Sequence, residues 1–287
     1  MKFLDVKTDF AFKKVFGSES SKPRLISFLN ALLVFSNGHK IVDLTIEDPY
    51  NIPMLKGMKD TFVDVKAKLD DGSRVIIEMQ VLFVDGFEKR ILYNAAKNYS
   101  AQLVRGENYT LLNPVIALTI TDFTMFPETE RYITRFKVLE KDELIDYTDD
   151  LELVFVELEK FNKPLDACNS ITDQWLYFLK NAGDMQMIPE QIGTEIKEAF
   201  NIANEAGLTP EELEAQHKRK DFIWLQKGAI KRAERVGLEQ GLEKGREQER
   251  EEIARNLLCY HDDATISNLT GLSMKRIINL RNETEKQ

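Results

Sequence analysis

The 287-residue sequence has no run approaching ~18 consecutive apolar residues, so no membrane-spanning helix is expected. Its N-terminus, MKFLDVKTDFAFKK, is charged throughout and lacks the apolar segment of a secretory signal. Cysteine is nearly absent: Cys168 and Cys259 lie far apart and form no metal-ligand spacing. A reducing, cytoplasmic setting fits that usage. Three scattered histidines, His39, His217 and His261, argue against a histidine-based zinc site. An overall excess of positive charge is missing too, with a net charge of −9.

The distribution of charge matters more than its sum. Residues 1–40 hold seven Lys/Arg against three Asp/Glu, a local +4. Residues 140–160 hold nine acids against two bases, a local −7. Association with nucleic acid depends on the local field at a groove, so a basic N-terminal lobe stays compatible with a DNA partner. The length allows one or two domains with a substantial core.

The stretch richest in chemistry runs from Lys59 to Val81, KDTFVDVKAKLDDGSRVIIEMQV. Val63, Val65, Ala67 and Leu69 alternate with Phe62, Asp64, Lys66 and Lys68. Val75, Ile77, Met79 and Val81 alternate with Ile76, Glu78 and Gln80. Side chains along a strand point to opposite faces in turn, which predicts a β-hairpin with an apolar odd face. Asp70-Asp71-Gly72 supplies the turn. A three-residue loop puts Leu69 opposite Ser73, Asp64 opposite Glu78 and Phe62 opposite Gln80. A two-residue loop would send Glu78 to the wrong side. Directly opposed residues have Cβ atoms about 5 Å apart. Two carboxylates that close repel unless a cation lies between them, and hard divalent ions take oxygen ligands. Such a pair can hold Mg²⁺ and activate a water against a phosphodiester. The alternative is a solvated hairpin face with Asp64 paired to Lys66 or Lys68.

Around the hairpin, TDFAFKKVFG (8–17) reads as a short helix capped by Thr8, with Phe12 and Phe16 on one face. A second helix begins near Pro23 and runs through LISFLNALL. Asn37-Gly38 reads as a turn, residues 41–46 as a strand and residues 48–53 as a loop. After the hairpin, Leu92, Ala95, Ala96, Tyr99 and Leu103 recur at helical spacing up to Gly106. VIALTI is a continuous apolar run, typical of a fully buried strand. Two more strands are expected over 132–138 and 151–158. The order is helix, three strands, helix, strand, then helices. Residues 221–258 read as one charged helix of roughly 38 residues, about 57 Å long. Gly237, Gly241 and Gly245 recur every fourth residue on it. Each interior glycine costs ~1 kcal/mol relative to alanine. That cost suits either close approach of a second copy or a frayed linker. The tail reads as two short helices around Thr270-Gly271-Leu272-Ser273, in the manner of a helix-turn-helix. There Lys275, Arg276 and Arg281 are candidates for phosphate contact; the alternative is a small helical hairpin docked on its own domain.

These stretches resemble the PD-(D/E)xK nuclease family whose members are described as transposases or recombination-promoting nucleases. The resemblance rests on TDFAFKKVFG, LISFLNALL, KDTFVDVKAKLDDGSRVIIEMQ, KRILYNAAKNYSAQLVRGENY and PVIALTITDF, over about residues 5–126. It implies a restriction-endonuclease-like α/β fold, an αβββαβ core with a mixed sheet, followed by an all-α region. The change in character of the sequence near residue 165 divides the chain into a nuclease-like domain (1–165), a helical region (166–220), the glycine-striped helix (221–258) and the tail (259–287). The resemblance implies Mg²⁺-dependent DNA cleavage, with Asp64 and Glu78 as metal ligands. Many related nucleases carry Lys two positions after the acidic residue. Gln80 stands there, the E-x-Q form of this family. Glutamine cannot supply charge or deprotonate water, but it can orient one. Lys66 is a candidate for the missing charge. Asp9 is a candidate metal-proximal acid, or simply a helix N-terminal charge. Arg90 and Tyr93, one turn apart, are candidates to face the scissile phosphate, with a surface ion pair as the alternative for Arg90. Asp60 is a secondary ligand or a bystander. Lys13 and Lys14 belong to the basic lobe that would meet DNA. The rival readings are a DNA-binding or self-associating protein of this fold that does not cut, and an RNA nuclease.

Overall fold

The computed structural model describes residues 1–35, 38–51 and 61–284. The expected Asn37-Gly38 turn and the 48–53 loop fall partly outside these residues, and Asp60 lies wholly outside them. The chain separates into two compact units, residues 1–223 and 224–287. Among the described residues no helix is long and apolar enough to cross a membrane.

In the first unit, α1 (Asp9–Phe16) starts where the Thr8 side chain accepts a hydrogen bond from the Ala11 N–H. Next comes α2 (Lys22–Leu32), with Pro23 in its first turn, where no N–H is needed. The strands are β1 (Leu44–Glu47), β2 (Tyr50–Asn51), β3 (Thr61–Phe62), β4 (Val65–Leu69) and β5 (Arg74–Gln80). After Gly86, whose φ of +75° suits glycine, comes α3 (Phe87–Ser100). The remaining elements are β6 (Val115–Thr121), β7 (Ile133–Leu139), β8 (Asp146–Glu157), α4 (Ile171–Asn181) and α5 (Thr194–Ile202). The helix α6 (Pro210–Leu257) runs across the boundary between the units.

The sheet has the order β1-β4-β5-β6-β8-β7. It is mixed: β4 is antiparallel to β5, β6 is parallel to both β5 and β8, and β7 is antiparallel to β8. This is the α/β architecture read from the sequence. VIALTIT of β6 is buried at every position because strands flank it on both sides and helices cover both faces. One face packs on α1, α2, α4 and α5. There Phe12, Phe16, Phe28, Trp175, Phe178 and Phe200 form a chain of rings 4.7–5.9 Å apart. Each fully buried ring contributes about 1.5–3 kcal/mol of burial free energy. The other face is a smaller cluster of Val63, Ile76, Phe87, Ile91, Ala95 and Phe155 beneath α3.

Two expectations about helices are corrected. The buried stripe of α3 is Phe87, Ile91 and Ala95, joined by polar Asn94, Lys97 and Asn98, whereas Leu92 is half exposed. Polar residues occupy part of the inner face, which displaces the stripe that apolar spacing alone suggests. The helix expected over 221–258 begins earlier, at Pro210, because no Gly or Pro interrupts the residues between Pro210 and its expected start.

The second unit contains the C-terminal part of α6, α7 (Asp263–Thr270) and α8 (Met274–Thr284). Asp262 caps α7 by accepting from the Thr265 N–H, and Gly271 closes it in the left-handed conformation. Ile266, Leu272, Ile277 and Leu280 pack with Ala254 and Leu258 in a core of their own.

Candidate functional site

The β4–β5 ladder keeps the expected register: Lys68 faces Arg74, Ala67 faces Val75 and Val65 faces Ile77. The Leu69 N–H donates to the Ser73 carbonyl, closing the three-residue Asp70-Asp71-Gly72 loop. Gly72 there has φ +91°, a conformation that favours glycine.

The ladder then departs from the regular hairpin. The Asp64 N–H donates to the Ile77 carbonyl at 2.9 Å, so Asp64 joins Val65 opposite Ile77 rather than facing Glu78. This is the two-against-one arrangement of a β-bulge, which re-aims side chains. It flips Val63 away from the face of Val65 and into the cluster under α3. Phe62 correspondingly faces Tyr50 of β2, not Gln80. The expected direct oppositions of Asp64 to Glu78 and of Phe62 to Gln80 are thus corrected.

Re-aimed by the bulge, the Asp64 carboxylate reaches the ladder that the bulge interrupted. Its Oδ2 accepts from the Met79 N–H at 2.7 Å, satisfying a donor that would otherwise lack a partner. Its Oδ1 lies 3.3 Å from Lys13 Nζ of α1. The Asp64 side chain is only 11% exposed, and Glu78 18%. Burial is the main reason that the Asp64 carboxyl binds its proton more tightly than usual; the Met79 N–H and Lys13 oppose it. Glu78 is pushed up to about 7, first by burial and second by the negative charge of Asp64, with Arg90 opposing. Asp9 adds negative field to both. The two acids are therefore close enough to disfavour joint ionisation.

Arg90, one turn into α3, joins the site from the other face. Its Nη2 donates to Glu78 Oε1 at 2.7 Å and to Gln80 Oε1 at 2.8 Å. The guanidinium lies 5.0 Å from the centre of the Phe87 ring. Gln80 Nε2 donates to the Leu82 carbonyl at 2.6 Å, so its amide is held at both ends.

The other sequence-derived candidates are dispersed. The Asp9 side chain is 54% exposed and lies 3.4 Å from Arg219 Nη2. Lys14 pairs with Glu212 at 3.1 Å. Lys66 lies 3.7 Å from Glu47 of β1. Tyr93 is partly exposed, with Lys97 Nζ 5.9 Å from its ring centre. In the second unit, Lys275 is exposed, and Arg276 donates to both carboxylate oxygens of Glu251 at 2.5 and 2.6 Å. Asn94 was missed by sequence reading. It is buried, with Oδ1 lacking a partner, and lies four residues after Arg90 on α3. That i, i+4 spacing is the one signal that could have pointed to it.

Among the described residues no three His, Cys, Asp or Glu side chains are grouped as a metal-binding cluster. Asp64 and Glu78 nevertheless fit a divalent cation chemically. Both offer hard oxygen donors, and both carry a proton affinity raised by burial and shared negative charge, an excess that a cation would neutralise.

A protein-family model described as "PD-(D/E)XK nuclease family transposase" matches residues 6–233. No curated protein and no solved structure matches the chain.

Proposed function

Given that the chain belongs to the PD-(D/E)XK nuclease family transposases, we propose that it is a Mg²⁺-dependent DNA endonuclease whose metal ligands are Asp64 and Glu78. The observation that carries this reading is a pair of largely buried carboxylates at one end of the sheet. Both are destabilised as anions, and cationic side chains flank both. When bound, a divalent ion supplies Lewis-acid polarisation of the phosphodiester and a lowered pKa for a bound water.

The protein's own groups do the rest. Asp64 is held by the Met79 N–H and Glu78 by Arg90, so neither carboxylate needs to reorganise at the moment of reaction. Gln80, fixed between Arg90 and Leu82, keeps an acceptor lone pair with which to orient a water. Arg90 brings the positive charge that glutamine lacks, 2.8 Å from Gln80 Oε1. It is placed to neutralise charge developing on the phosphate, with Tyr93 one turn further on. Lys13 and Lys14 of the basic lobe meet the flanking phosphates.

Plasmid nicking with metal chelated and then restored tests the reading. Cleavage should require Mg²⁺ and disappear in Asp64→Ala and Glu78→Ala. Unchanged Mg²⁺-dependent nicking by both variants would end the assignment.

One contact favours a second reading. Arg90 already occupies Glu78 Oε1, an oxygen that a cation would use. A DNA-binding protein of this fold that does not cut would keep that ion pair permanently. DNA retained in a gel shift, without cleavage in Mg²⁺ or Mn²⁺, would favour it.

A further inference from the structure

Beside the acidic site, the first turns of α3 and β3 enclose a cavity of about 740 Å³. Its lining combines the aromatic residues Phe62 and Tyr93, the cations Lys89 and Arg90, and Asn94; Asp85 also contributes. Phe62 is 64% exposed, although its ring packs against Tyr50 at 4.8 Å between centroids. A large exposed ring beside a charged cleft has no role in the core. Asn94 supplies an independent observation. It is only 4% exposed, and its buried Oδ1 has no hydrogen-bond partner. An orphaned buried acceptor is unfavourable, and a ligand N–H would relieve it. Asn94 also lines the small cavity in which Glu78 and Arg90 meet, so groove and acidic site share a wall.

We infer that this groove receives an unpaired nucleotide of the DNA substrate, its base on Phe62 and Tyr93 and hydrogen-bonded to Asn94, its phosphate on Lys89 and Arg90. The inference rests on the nuclease reading for the identity of the ligand and deepens it by naming the substrate class: single-stranded, gapped or locally unpaired DNA. Every base presents a π-face, so stacking on aromatic residues selects for unpaired bases without selecting a sequence. A cavity of this volume is sized for one small-molecule-like moiety. A base inside a duplex cannot reach it without leaving the stack, which is cheapest where pairing is already lost.

The test measures binding by the full-length protein with metal chelated. The probes are a short single-stranded DNA, the matched blunt duplex, the same duplex with a central unpaired base, and single-stranded RNA of the same sequence. The unpaired DNAs should bind about tenfold more tightly than the duplex. Phe62→Ala should remove most of that preference while changing duplex affinity less than about twofold. Asn94→Leu should lower it as well; Phe62 lies at the surface, so its variant keeps the test open if the buried one fails to fold. Equal affinity for all DNAs, no binding, tighter binding of RNA, or equal losses on duplex and single strand would each overturn the inference. Binding without metal does not depend on cutting. A retained preference with no cleavage therefore breaks only the nuclease reading, and cleavage with no preference breaks only this one.

Discussion

Two sets of ionised side chains in this protein obey opposite rules. In the second unit, Arg276 grips both oxygens of Glu251 and reaches Glu283, while Arg281 pairs with Asp263 and with the Leu258 and His261 carbonyls. Each acid in these pairs has a cation, and the Arg276 hydrogen bonds hold the Glu251 carboxyl below its usual range. At the end of the sheet, Asp64 and Glu78 are largely withdrawn from solvent beside each other, and both proton affinities are raised. The first set stabilises its fold. The second destabilises the anions it contains, and such arrangements cluster where a protein must bind or react with something.

The sharpest way to break this contrast is to remove the strained acids. Asp64→Ala or Glu78→Ala should lower Mg²⁺-dependent nicking by about a thousandfold, the loss of several kcal/mol of transition-state stabilisation. Glu78→Gln should do the same to activity and yet leave the fold as stable or more stable, because it removes the repulsion. Thermal unfolding of that variant alongside its activity checks both halves. A large loss of stability in Glu78→Gln would mean that the acid is structural, like those of the tail.

The pH dependence sharpens the contrast further. The folded-state pKa of Glu78 lies above that of an unfolded chain, so between about pH 4.5 and 7 the folded protein holds a proton that the unfolded chain has lost. Stability contributed by this group should therefore fall as pH rises through that window, by on the order of 3 kcal/mol, and stay flat above it. Glu251, held low by Arg276, has the opposite sign: its contribution is lost as pH falls through its folded pKa. Excess Mg²⁺ should recover stability above pH 7 in the wild type by ligand linkage. Denaturation midpoints across pH, with and without Mg²⁺, in wild type and Glu78→Gln, check the sign. A wild-type midpoint that rises between pH 4.5 and 7 while that of Glu78→Gln does not would contradict it.

In the tail, Arg276→Ala should lower the stability of the second unit, since it breaks a charge-assisted bidentate pair with Glu251. The loss should appear as faster amide exchange in α7 and α8, with little change in the salt dependence of DNA binding. Lys13→Ala, by contrast, should reduce that dependence by about one unit of slope. An equal change in slope for Arg276→Ala would make this arginine a phosphate contact rather than a structural clamp.

What the sequence disclosed follows from how local each cause is. The alternation of β4 and β5, the glycine in their turn and the Ser73–Leu69 register are short-range and were legible. So was the order of helices and strands, because Thr8, Pro23 and the apolar run of β6 act within a few residues. The bulge at Asp64 was not, because it inserts one residue into a pattern that still alternates on paper. The polar opening of β8, DYTDD, hid part of that strand, which is held by pairing with the edge strand β7 across register shifts. At the site, Asp64 and Glu78 could be read as a pair from strand period. Arg90 reaches them from a helix twelve residues beyond Glu78, and only tertiary packing discloses that it bonds to Glu78 and Gln80 together.

The smallest predicted effect concerns the glycine stripe of α6. A Cβ added at Gly237, Gly241 or Gly245 meets nothing within 4 Å. Within one chain, Gly→Ala at any of them should stabilise the helix by a little under ~1 kcal/mol through backbone entropy alone. Neighbouring Leu238 and Leu242 are exposed by 66% and 55%, so apolar surface stands ready beside the stripe. If a second copy packs closely there, the added methyl groups obstruct that approach, and alanine costs association while it favours the isolated helix. Sedimentation of wild type and the triple Gly→Ala variant across concentrations, together with their melting curves, separates the outcomes. A higher melting temperature with an unchanged mass leaves the stripe as a weak stretch of helix. A lost dimer makes it a contact, a second feature of this protein in which intrinsic stability gives way to recognition.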